Sequence, residues 1–203
     1  VSWDISGMFS INDYSEFNKR SVLEHDMRGF LANDFVGKEN LTKNDVSWYT
    51  LPDDKTYFQN KLKGIFLGNF VKWDPYKQTD LMKQLYNWEE AKEPFERTYR
   101  KISNLDDMHE NGIHDYLKFI KFGYGRCSDH ASKDIRMGYL TRDEGIKLVK
   151  KYDHIKPLKD LNRWLKYTST TEEEFDSHAE TFRDTRVWLK ENSKWEKKYN
   201  LWD

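Results

Sequence analysis

Between Gly112 and His154 the chain reads GIHDYLKFIKFGYGRCSDHASKDIRMGYLTRDEGIKLVKKYDH, a stretch that sets helical apolar spacing against closely spaced turn residues. Ile113, Tyr116, Leu117 and Ile120 recur on one helix face, and Gly123-Tyr124-Gly125 then stops the helix where positive φ is cheap. Arg126 is thereby set on a sharp turn. Ser128 reads as the N-cap of a second helix that buries Ile135 and ends at Gly138. Thr141-Arg142-Asp143-Glu144 reads as a capping box opening a third, with Ile146, Leu148, Val149 and Tyr152 inside. Glycines, arginines and aspartates placed between short amphipathic helices exceed what a core-filling segment requires.

Upstream, residues 1–14 read as a strand or loop remnant, and Ser15 to Leu31 fits a helix striped by Phe17, Val22, Leu23, Met27 and Phe30. Asn33 to Asn60 is polar and broken by Gly37 and Pro52, so connecting structure is expected there, with one helical turn at Lys43 to Tyr49. The run Gly64 to Val71 is the best strand candidate, an apolar segment of the kind buried in a parallel sheet. Asp74-Pro75 supplies a cap and a first-turn proline for the helix that follows through Leu81, Met82 and Leu85 to Asn87. A strand, a short loop and a helix make an α/β unit, in which ligands sit at the carboxyl end of the strand, near Asn69, Lys72, Trp73 and Asp74. In the simpler reading Asp74 only caps its helix and Trp73 packs.

From Leu158 onward only helices are expected: one holding Leu161, Trp164 and Leu165, one after a Thr171 to Glu174 capping box with Phe175, His178 and Phe182, and a last with Val187, Trp188, Trp195 and Tyr199. His178 on that stripe reads as a partly buried structural histidine.

Charged residues make up 34% of the 203 residues yet cancel to a formal net charge of -1, so the overall balance points to neither nucleic acid nor an anionic membrane. No apolar run is long enough to span a bilayer. The single cysteine, Cys127, excludes an internal disulfide and fits a reducing, cytoplasmic setting. Its neighbour Arg126 would favour a thiolate, but a lone cysteine at a helix start is more often a small packing residue. No histidine pair has the spacing of a helical zinc site, and no metal site is expected. Aromatic residues reach 16%, so rings supply much of the buried area.

GIHDYLKFIKFGYGR, SDHASKDIR, GYLTRDEGIKLVKKYD and the upstream GIFLGNFVKWDPYKQTDLM stand in the order used by the N-acetyl sugar amidotransferases, and over roughly residues 64 to 154 the chain resembles the C-terminal part of that family. These are PP-loop ATP pyrophosphatase relatives from bacterial surface-polysaccharide (LPS) and nonulosonic-acid pathways. The resemblance implies an ATP-dependent enzyme, with Mg, that activates the acetamido oxygen of a nucleotide-linked N-acetyl sugar, after which ammonia from a glutaminase subunit leaves an acetamidino group. It implies an α/β remnant with a predominantly helical C-terminal region, the C-terminal half of a Rossmann-like PP-loop fold. Residues 1–73 would be the end of the nucleotide-binding core with connecting loops, and 74–203 the helical region. The family's Ser-Gly-Gly-x-Asp-Ser phosphate loop and its paired cysteines are absent from these residues, and the chain opens Val1-Ser2-Trp3 without Met. The expectation is a fragment whose nucleotide-binding half precedes Val1, with no cofactor held by this chain alone.

Releasing pyrophosphate calls for fixed positive charge and backbone amides where negative charge gathers. Arg126, on a glycine turn leading into a helix N-terminus, is expected to act at the reacting centre, with His114 beside it. Lys118, Tyr124, Gly125, Ser128, Asp129, Arg136 and Arg142, together with Asn69, Lys72 and Asp74, are the expected substrate- and phosphate-binding residues. Asp129 in the same turn is able to neutralise the helix dipole by itself, and Arg136 and Arg142 are as well placed to pair with Asp134 or Asp143 at the surface. His114 and Asp115 are placed to position a sugar by hydrogen bonds. The alternative is a noncatalytic helical interaction module, supported by the missing phosphate loop and the capped, aromatic-rich tail; a nucleic-acid binder lacks a basic stripe.

Overall fold

The computed structural model describes residues 16–17, 31–61, 64–65, 70–71, 73–103, 111–192 and 194–203. The chain divides into two compact units, Val1–Trp88 and Glu89–Asp203.

In the first unit, 3-10 turns at Ala32–Phe35 and Ser47–Tyr49 are followed by α1 (Asp54–Gln59) and α2 (Pro75–Tyr86). α1 lies in the segment expected to be mostly connecting structure; it follows Pro52, and Asp53 accepts from the Thr56 amide at 2.7 Å. α2 starts as its sequence demands, with Asp74 accepting from the amides of Tyr76 at 3.1 Å and Lys77 at 3.3 Å and Pro75 in the first turn. It ends at Asn87 in the left-handed region, φ 52°.

The strand expected over Gly64 to Val71 is corrected. Among the described residues of that run only Gly64–Ile65 (β2) forms a strand, and it pairs antiparallel with Glu16–Phe17 (β1), Glu16 opposite Ile65. Ile65 is 45% exposed, so this is no buried parallel strand. The apolar run carries no information on strand direction, and glycines at 64 and 68 weaken it as a strand. Phe66 to Asn69 lie outside the described residues, while Phe70 and Val71 form a turn and bend. Of the helix expected over Ser15 to Leu31, Glu16–Phe17 is β1 and Leu31 is extended; the remainder, like residues 1–14, falls outside the described residues.

The second unit is predominantly helical. It contains α3 (Asn111–Phe122), α4 (Arg126–Met137), α5 (Arg142–Tyr152), α6 (Leu158–Thr168) and α7 (Glu172–Glu180). α3 packs on α6 and α7 through Ile113, Leu161, Phe175 and Ala179, with Trp164 set edge-on to Phe175 at 5.3 Å. Full burial of side chains such as Ile113, Leu161 and Phe175 contributes about 2–3 kcal/mol each. α4 and α5 close a second cluster around Cys127, Ala131 and Val149, where Gly145 leaves room for Ile135: a Cβ there would lie 2.7 Å from Ile135 Cδ1. The capping boxes at Thr141 and Thr171 both form, and Gly123 and Gly138 adopt φ of 75° and 79° at the helix ends.

Two further expectations are corrected in this unit. The final helix is instead an antiparallel hairpin, β3 (Trp188–Glu191) paired with β4 (Lys194–Lys197), with Asn192 at φ 46° in the connection. Trp188 and Trp195 sit seven apart and mimic a helix stripe, but aromatic residues around a left-handed asparagine also suit a hairpin, and burial alternates along β4. Trp188 is buried and its Nε1–H donates to the Ile120 carbonyl at 2.7 Å, fastening the hairpin to α3. His178 is exposed rather than partly buried, with Phe175 and Ala179 carrying the inner face of α7, and Phe182 lies beyond the end of that helix.

Candidate functional site

α3 and α4 are joined across the glycine turn by two ion-pair rungs. Arg126 is the first residue of α4, and its Nε–H donates to both carboxylate oxygens of Asp115, at 3.1 and 3.0 Å, while Nη2 donates to Oδ1 at 2.8 Å. One helical turn on, Lys118 Nζ pairs with Asp129 and lies over the Tyr124 ring, 4.8 Å from its centroid. Three-residue steps on both helices, from 115 to 118 and from 126 to 129, produce this ladder. His114 Nδ1 lies 3.0 Å from Asp115 Oδ1 with 59% of its side chain exposed. Asp115 therefore brings Arg126 and His114 together.

The N-terminus of α4 is occupied from within the protein. Ser128 is not its N-cap: Gly125 holds that position, and Ser128 sits inside the first turn. Asp153, the C-cap of α5, accepts from the Gly125 amide at 2.8 Å, the Ser128 amide at 3.2 Å and the Ser128 hydroxyl. The serine lacks a role as cap because a carboxylate remote in sequence meets the same orphan amides. Gly125 has to be glycine for this approach, since a Cβ there would stand 2.9 Å from Arg97 Nη2 and 3.0 Å from Asp153 Oδ1.

Arg97, Thr98, Tyr99 and Arg100 form the part of the site that sequence reasoning missed. They lie on a loop closed by backbone bonds from Thr98 N to Phe95 O at 3.1 Å and from Phe95 N to Arg100 O at 3.2 Å. Arg97 is 2% exposed and donates to the carbonyls of Asp153 and Ile155, with its guanidinium over the rings of Tyr116 and Phe119. Burial lowers its pKa to about 10, opposed by the charges of Asp153 and Asp115, so it remains a cation at neutral pH. Arg100 and the Tyr99 hydroxyl both bind buried Asp134. The only local signal was two arginines three apart in a stretch with neither helical nor strand periodicity.

These elements leave a small cleft lined by Thr98, Ser103, Asn111, Asp115, Arg126 and His130, with a cavity volume of about 20 Å³. Thr98 Oγ1 lies 2.7 Å from His130 Nδ1. Burial, reinforced by Arg100, Arg126, Lys133 and Lys118, pushes the His130 pKa down to about 2, so the ring is neutral. Cys127, next to Arg126, is fully buried and its thiol is pushed up to about 12 by burial, which makes it a packing residue rather than a nucleophile. Arg136 is exposed and reaches Ser132 Oγ at 3.4 Å; Arg142 is exposed at the start of α5, and neither lines the cleft. Asp74 caps α2 in the other unit, and Asn69 and Lys72 lie outside the described residues.

Among the described residues no three His, Cys, Asp or Glu side chains stand together to hold a metal, and no helix is long and apolar enough to cross a membrane. Asp153 already occupies the amides at the start of α4, so that helix end does not fit the phosphates of Mg-bound ATP.

No curated protein matches the chain. Residues 71–201, more than half of it, match the family model described as LPS biosynthesis protein WbpG-like, C-terminal domain. The chain thus belongs to the WbpG-like C-terminal domain family of LPS biosynthesis proteins.

Proposed function

We propose that this chain is the sugar-holding C-terminal portion of an ATP-dependent amidotransferase that converts the acetamido group of a nucleotide-linked N-acetyl sugar to an acetamidino group, in the cytoplasm, with ammonia delivered by a glutaminase subunit. The observation that carries the reading is Arg126, a guanidinium held by Asp115 at the wall of a cleft whose other polar members, Thr98, Ser103, Asn111 and neutral His130, carry no charge. As ammonia adds to the activated carbon and the C–O bond breaks, the oxygen departs with the bonding pair on the group that activated it, and a guanidinium fixed beforehand stabilises that charge without reorganising.

In this reading Arg126 faces the acetamido oxygen, and His114, anchored on Asp115 through Nδ1, keeps Nε2 for hydrogen bonding or proton transfer to the substrate. Lys118, Tyr124 and Asp129 form the next rung and border the sugar, while exposed Arg136 and Arg142 are assigned to the phosphates of the carrier. Gly125 and Ser128 act through Asp153, as structural supports of Arg126. ATP and its metal are assigned to another domain of such a protein, and no step is derived through them.

A noncatalytic interaction module is the second reading, favoured by α2, which exposes Leu81, Leu85 and Tyr86 and buries no residue.

Saturation-transfer NMR on the purified chain with UDP-N-acetylglucosamine separates the two. Saturation reaching the N-acetyl methyl, and competing away with excess unlabelled ligand, is the expected result. Absence of transfer at millimolar ligand would favour the interaction module.

A further inference from the structure

Given the sugar-holding role above, we propose that Asn111 makes the cleft selective for an acylamino group, accepting the ligand's amide N–H while Arg126 donates to the carbonyl of the same group. Asn111 opens α3 and is 7% exposed. Its Nδ2 donates to Ser103 Oγ at 3.1 Å, but its buried Oδ1 has no hydrogen-bond partner. A buried amide oxygen without a donor is costly, and native proteins keep few of them.

Arg126 lines the same cleft with the opposite need. Asp115 engages its Nε and Nη2, and Nη1 makes no hydrogen bond among the described residues. One acceptor lacking a donor and one donor edge lacking an acceptor are both met by a secondary amide, which offers N–H and C=O on a single planar uncharged group. A carboxylate or phosphate would suit Arg126 but set its oxygens against Asn111 Oδ1 and Asp115. An ammonium would suit Asn111 but stand beside a guanidinium. The neutral His130 ring, joined to Thr98, adds no charge that would alter this preference.

Two simpler occupants make different predictions. The cavity of about 20 Å³ has room for a water, which would satisfy Oδ1 and leave ligand choice untouched. If the Asn111 carboxamide is turned over, the Ser103 hydroxyl donates to Oδ1 and Nδ2 faces the cleft, which then reads only a carbonyl.

The test is calorimetric titration of the chain with UDP-N-acetylglucosamine, UDP-glucosamine and the ester isostere UDP-2-O-acetylglucose, which keeps the carbonyl and lacks the N–H. The amide should bind about tenfold tighter than the ester and the amine. Asn111→Leu should bring amide and ester within about twofold of each other, and Asn111→Asp, which keeps the acceptor, should preserve the preference. The wild-type ratio decides the matter even if the variants fail to fold. Equal binding of amide and ester by the wild-type chain, or a preference that survives in a folded Asn111→Leu protein, overturns the role of Asn111 while leaving the sugar-holding role intact. Binding of none of the three probes overturns both.

Discussion

Asp115, Asp134 and Asp153 are buried and each is matched from a distant part of the sequence: Asp115 by Arg126, Asp134 by Arg100 and Tyr99, Asp153 by the amides of Gly125 and Ser128. His130 sits among these groups as the neutral member, and its depressed pKa has a consequence for stability. The unfolded chain takes up a proton at this residue near pH 6.5, whereas the folded protein resists until about pH 2. Below pH 6.5 the unfolded state binds the extra proton, so stability falls as pH falls, by about 1.7 kcal/mol between pH 6.5 and 5 from this group. Urea unfolding at those two pH values should show a smaller loss for His130→Asn than for the wild-type chain. Parallel losses would mean that the imidazole is solvated and titrates normally.

Local signals were legible at the level of elements, and nonlocal ones were not. Thr141 and Thr171 capping boxes, the Asp74-Pro75 start and the glycine at 138 all depend on residues within a few positions of each other, and all form. The hairpin after Trp188 and the antiparallel pairing of Gly64–Ile65 depend on partners that periodicity does not name. The same limit hid half of the site: Arg126 and His114 drew notice through the turn beside them, but Arg97 and Asp153 act across 56 residues. Asp153 is the clearest case, because from sequence it is only the residue after a helix. Its replacement gives a direct comparison of the two kinds of interaction. Asp153→Ala strands two amides and a hydroxyl and removes a counter-charge of Arg97, and should cost about 3 kcal/mol, whereas Thr171→Ala removes one exposed cap and should cost about 1 kcal/mol. Urea midpoints at constant m decide it, and equal losses would mean that water replaces Asp153 at the α4 terminus.

At the scale of the whole molecule, the family match begins within the Val1–Trp88 unit and runs through nearly all of Glu89–Asp203, while every residue lining the cleft belongs to the latter. The central claim is that Arg126 is placed to hold a ligand rather than only to neutralise Asp115. Alanine is a poor probe, because it strips a buried carboxylate of its guanidinium partner and conflates stability with binding. Arg126→Lys keeps the charge and one contact to Asp115 while losing the planar fork, and Lys150→Ala, at an exposed residue of α5, is the control. The deciding measurement is the Kd for UDP-N-acetylglucosamine alongside the urea midpoint for both variants. Arg126→Lys should weaken binding about tenfold or more with a stability change within about 1 kcal/mol, and Lys150→Ala should alter neither appreciably. Wild-type affinity in Arg126→Lys, or a loss no larger than its unfolded fraction explains, would contradict the claim and leave Arg126 as a structural ion pair.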